Sequence, residues 1–246
     1  MCGARAYLSP ELGDIVVRAE RVFSRPAPDT LGVCTGCCMA PKVEKAILAT
    51  PVSKITAEQL TEWYGAAFAS DIGFGVLQWL MPAILRHLAQ DTDVSFTFGR
   101  EVAFKRCAQT TRWPGWPESQ AALFADFARA YLDARLDLPM PELDETFCMF
   151  SHAGLPMQAL TDQLESTPLL RLARALLADF DWAMPVFGAN AFWDDHAAAR
   201  EIAAWFARPA LRESLIVAGV ETDGPNADAM LGAADVLESF ACSTAG

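Results

Sequence analysis

Apolar residues recur at helical spacing along nearly the whole chain, broken by prolines and capping residues, which leaves little sequence for strands. Ser9 reads as an N-cap ahead of Pro10 and Glu11. Leu12, Ile15, Val16, Ala19, Val22 and Phe23 then follow on one face until Pro26. Pro41 opens a short helix carrying Val43, Ala46 and Ile47, which ends before Pro51. Thr56 and Gln59 form a capping box: the hydroxyl accepts from the N3 amide and the glutamine reaches back. Leu60, Trp63, Tyr64, Ala67 and Phe68 follow it on one helix. A helix over 72–89 contains Pro82, which is expected to kink or split it. Another is expected near 98–110, and Pro117 starts a long one with Leu123, Phe124, Phe127, Ala130, Tyr131 and Ala134 on one face. Later helices are expected at 142–153, 157–165, 168–182, 194–206, 208–218 and 226–241, whereas only 94–98 alternates like a strand. The pattern predicts an all-α compact array of about ten helices, or else a short solenoid of helical pairs. No internal repeat occurs, which favours the compact array.

A chain of 246 residues accommodates one large domain or two small ones. No low-complexity linker divides it, so a single helical domain over 1–246 is expected, with the proline-rich stretch at 138–141 as the best internal boundary. The 31 acidic and 19 basic residues give a net charge of -12. Phosphate neutralisation needs clustered Lys and Arg, so this balance argues against a nucleic-acid binder. The longest uncharged runs, 72–85 and 146–161, fall short of the roughly 20 apolar residues that span a bilayer. The N-terminal residues lack the apolar core of a signal peptide. Seven cysteines, an odd number, then read as reduced thiols in a cytoplasmic protein.

The densest chemistry is Cys34-Thr-Gly-Cys37-Cys38, where a CxxC turn can bring two sulfurs to one side of a metal ion. One CxxC supplies half of a tetrahedral zinc site. The other compact ligand pair is Cys148 and His152, spaced i, i+4 on one helical face. Cys34, Cys37, Cys148 and His152, with Cys38 as a substitute, would make a Cys3His set for zinc or another soft metal. Reduced cysteines without metal are the competing reading. A thioredoxin-type centre would need a βαβ pattern that is absent. Cys148 and His152 as nucleophile and base fare worse, because Asp144 adjoins the thiol instead of orienting the histidine.

Other marked residues have structural explanations. Asp194 and Asp195 ahead of His196 suit a helix cap. His87 lies on an apolar helix, and Trp113 and Trp116 in Arg-Trp-Pro-Gly-Trp-Pro are expected to fold back on the helix that follows. There is no P-loop, dinucleotide turn, G-x-S-x-G elbow or H-E-x-x-H pair, which lowers the prior for an enzyme.

Cys37-Cys38-Met-Ala-Pro41, Ala46-Ile-Leu-Ala-Thr-Pro51 and Ile55-Thr-Ala-Glu-Gln-Leu60 with Tyr64 together resemble a family of uncharacterised bacterial helical proteins. Its members share a Cys-Cys-x-x-Pro element and a Leu-Ala-Thr-Pro stretch. Trp79-Leu-Met-Pro82-Ala-Ile-Leu85 and Trp116-Pro-Glu118 are similar to later elements, so the likeness covers roughly residues 34–136. The resemblance implies a helical fold and a bacterial cytosolic origin, and brings no activity.

Three functional readings follow. The first is a non-enzymatic acidic protein-binding module, of immunity or antitoxin type, that neutralises a basic protein partner. The second is a zinc- or thiol-dependent protein centred on Cys34, Cys37 and Cys38. The third is an enzyme whose scattered site carries no motif.

Overall fold

The computed structural model describes residues 6–67, 73–92, 94, 99–109, 112–180 and 190–244. Among these the chain is all-helical, with eleven α-helices and no strand. The helices are α1 (Pro10–Val22), α2 (Pro41–Leu48), α3 (Ala57–Gly65), α4 (Phe74–Ala89), α5 (Glu118–Arg135), α6 (Leu143–Ala153), α7 (Gln158–Ser166), α8 (Leu169–Asp179), α9 (His196–Phe206), α10 (Pro209–Val220) and α11 (Pro225–Thr244). No helix is long and apolar enough to cross a membrane among the described residues. The chain divides into two compact units, Met1–Tyr131 with His152–Leu155 and Leu132–Ser151 with Pro156–Gly246. In sequence, the first change of unit falls inside α5, ahead of the 138–141 stretch.

The helix starts follow their capping chemistry. Ser9 Oγ accepts from the Leu12 amide at 3.2 Å, and Pro10 occupies the first turn of α1. Both halves of the Thr56/Gln59 capping box form, at 3.3 and 3.0 Å. Asp195 is the N-cap of α9 and accepts from the Ala197 and Ala198 amides at 3.1 Å.

One expectation is narrowed and one is corrected. α4 runs through Pro82 as one helix instead of splitting there. A proline inside a helix costs about 3 kcal/mol. Burial on every side of this helix offsets it, with Leu80, Met81, Ala83, Ile84 and Leu85 all at 0% exposure. The helix expected near 98–110 is replaced by two 3-10 turns, Arg100–Val102 and Lys105–Gln109. Glu101, Val102, Ala103 and Phe104 are buried in succession, so the stretch carries no single apolar stripe. The alternation at 94–98 lies, apart from Val94, outside the described residues.

In the first unit α1 packs on α4. Trp116 joins the core through Phe23, Phe74 and Phe124, and Phe104 meets Phe124 edge-on at 4.9 Å. Trp113 donates its indole N–H to the Ala121 carbonyl at 2.9 Å, so the tryptophan loop folds back on α5 as packing. In the second unit α11 packs on α8, α9 and α10, and Phe147 meets Phe206 while Phe180 meets Phe240. Arg135, 2% exposed, donates to the Met140 and Pro141 carbonyls and to Glu142. Asp179 accepts from the Glu142 and Leu143 amides at 2.6 and 2.9 Å, which ties the end of α8 to the start of α6.

Candidate metal centre

The loop that carries the cysteines is pinned by its apolar residues and left open at its sulfurs. Leu31, Val33 and Met39 are buried, whereas Cys37 and Cys38 are exposed and Cys34 is half-buried. Gly32 precedes the turn at φ 68°, in the left-handed region that favours glycine. Glu44 of α2 accepts from the Leu31 amide at 2.8 Å and from the Thr30 hydroxyl at 2.7 Å. Trp63 of α3 donates its indole N–H to the Leu31 carbonyl at 3.3 Å. The Cys34 amide donates to the Ala67 carbonyl at 2.6 Å, and the Met39 amide closes the turn on the Cys34 carbonyl at 3.0 Å. Replacing Gly32 with alanine is expected to lower stability by about 1 kcal/mol through backbone strain. A urea titration of the two proteins checks this.

Within this frame the sulfurs converge. Cys34 Sγ and Cys37 Sγ are 3.4 Å apart, and Cys37 Sγ and Cys38 Sγ are also 3.4 Å apart. All three lie within 4.8 Å of one another and are placed to hold a metal ion. Each cysteine is a free thiol. Hydrogen bonds from Cys37 and from the Gly36 and Cys38 amides stabilise a Cys34 thiolate and lower its pKa from 9.0 to about 7. Cys37 moves the other way, to about 11, because its proton is shared with Cys34 and Cys38 and its thiolate would face theirs. Iodoacetamide is therefore expected to alkylate Cys34 with half-maximal rate near pH 7, and Cys37 only at more alkaline pH. Peptide mapping of protein alkylated over a pH series reads both values.

The group does not extend to Cys148 and His152 among the described residues. Both sit on α6, at 0% and 1% exposure, in the run where Phe147, Met149 and Phe150 are also fully buried. The helix buries both side chains together with its core residues. Cys107 is likewise buried, and burial raises its pKa, so it is an inert thiol. His87 gives its Nε2 to the Ile55 carbonyl at 2.9 Å, and burial holds its pKa below the usual value.

Two acidic groups of the second unit serve packing. Asp144 binds the Asn190 amide and the Trp193 indole N–H, and Asp179 caps α6. In a groove of about 530 Å³ lined by Leu136, Pro139, Leu170, Arg171 and Arg174, Arg171 is paired with Asp133 and Asp137, and Arg174 donates to Asn226.

Sequence reasoning missed the residues that position the sulfurs. Arg106 is the chief of them, donating to the Trp63, Tyr64 and Ala66 carbonyls at 2.7, 2.9 and 2.8 Å. It fixes the end of α3 next to Ala67, the residue that anchors the Cys34 amide. No local spacing marks an arginine that reaches so far back along the chain.

Comparison with protein-family models, with curated proteins and with solved structures gives no match.

Proposed function

We propose that the protein binds a soft metal ion, zinc or another thiophile, through the thiolates of Cys34, Cys37 and Cys38. The observation that carries this reading is the gathering of three sulfurs on one anchored surface turn. Thiolates are the preferred ligands of zinc and of softer ions. Structural zinc is usually enclosed by four ligands, so three leave one position for water or an outside group. The reading is non-enzymatic, and free thiols suit a reducing cytoplasm.

Elemental analysis after zinc reconstitution under reducing conditions tests it. The expected result is one ion per chain in the wild type and background in the Cys34→Ser/Cys37→Ser protein. A Cys148→Ala protein is expected to keep the wild-type stoichiometry. Background metal in the wild type would overturn the reading.

The net charge of -12 supports a second and compatible reading, an acidic binding module for a basic protein partner of the immunity or antitoxin kind. Capture of one basic protein from the native host, released by salt, is expected. Recovery without salt dependence would contradict it.

A further inference from the structure

We infer that the Cys34–Cys37–Cys38 turn is shaped for a three-coordinate pyramidal thiophile, of which trivalent arsenic as arsenous acid is the representative, in preference to tetrahedral zinc. The inference rests on the metal-binding reading and names the ligand class of the same site.

Ligand number comes first. Three sulfurs converge, and among the described residues no fourth His, Cys, Asp or Glu joins them. A three-coordinate centre is complete with that set, whereas tetrahedral zinc takes its fourth ligand from water or an outside group.

Geometry points the same way. With zinc–sulfur bonds of about 2.3 Å, tetrahedral angles hold two sulfurs about 3.8 Å apart, and a planar three-coordinate ion holds them about 4.0 Å apart. A lone pair on the central atom compresses the angles. At about 95° and the same bond length the separation is about 3.4 Å. Both sulfur pairs that include Cys37, which are thiol hydrogen bonds in the metal-free turn, are separated by 3.4 Å, and the Cys34–Cys38 pair lies within 4.8 Å.

Access fits as well. Cys37 and Cys38 are exposed, so an uncharged hydroxide arrives and sheds water without opening the fold. The turn that carries them is fixed by the Cys34–Ala67 and Met39–Cys34 backbone bonds, which limits the ordering needed on binding.

The chemistry balances without an oxidant or reductant. Three arsenic–oxygen bonds break and three arsenic–sulfur bonds form. Each thiol proton leaves with one hydroxide as water, and arsenic stays trivalent.

The test titrates the reduced protein with sodium arsenite alone and with zinc chloride alone, and then adds arsenite to zinc-loaded protein. Free thiols and native intact mass are read at each point. Expected are one arsenic per chain, three thiols consumed, a mass gain of one arsenic less three hydrogens, and release of zinc. Cys38→Ser is an exposed, near-isosteric change, and loss of the third tethered thiol is expected to weaken arsenite binding about 100-fold or more. If zinc binds but arsenite consumes only two thiols or fails to release zinc, the inference is overturned and the metal reading stands. If neither binds, both fall.

Discussion

Arg106→Ala is expected to destabilise the first unit by about 3 kcal/mol, because the Tyr64 and Ala66 carbonyls both lose a buried donor while that of Trp63 keeps the Ala66 amide. The last carbonyls of a helix have no partner inside it. At the end of α3 the guanidinium supplies one, binding the carbonyls of Trp63, Tyr64 and Ala66. It also lies 4.1 Å from the centre of the Trp63 ring and 5.5 Å from that of Tyr64. Burial lowers its pKa to about 10, so it remains charged at neutral pH. All three bonds leave one nitrogen, Nη2, so Arg106→Lys keeps a charged donor nitrogen on a shorter side chain, and its loss should be intermediate. Urea unfolding followed by tryptophan fluorescence measures both, and a change below about 1 kcal/mol for alanine would refute the capping account. The same variant should loosen the anchor of Cys34, moving its alkylation midpoint from about 7 back toward 9.0.

The second large effect concerns Cys37, whose sulfur stands 3.4 Å from each neighbour and so belongs to both pairs. Cys37→Ser should weaken zinc binding by more than about 100-fold, beyond the 10–100-fold typical of losing a group that only orients a ligand. Because Cys37 is exposed, the helical circular dichroism should be unchanged. Competition against a chromophoric chelator gives the affinity. Wild-type affinity in the variant would show that Cys37 is not a ligand.

Much of this fold is legible in the sequence because helix signals are local. Ser9, Thr56 with Gln59, and Asp195 cap the helices they were expected to cap, since each acts on amides two or three residues away. What was not legible depends on distant partners. Pro82 is accommodated because neighbouring elements bury its helix on all sides, and periodicity within the helix carries no trace of them. The turns at 100–109 stand where periodicity points to a helix.

The site divides in the same way. Cys34, Cys37 and Cys38 were visible as neighbours in sequence, and the turn that joins their sulfurs is local. Cys148 and His152 were visible as a second pair by helical spacing, but spacing does not report that both are buried. The anchors Trp63, Ala67 and Arg106 act across the tertiary fold, and no sequence signal marked that role.

A count of reactive thiols in the native protein, with and without one equivalent of zinc, tests the central idea most directly. Three sulfurs acting as one ligand set predict that the count falls by three on adding zinc and recovers when a chelator removes it. An unchanged count, or the same fall in a Cys34→Ser/Cys37→Ser/Cys38→Ser protein, would contradict it.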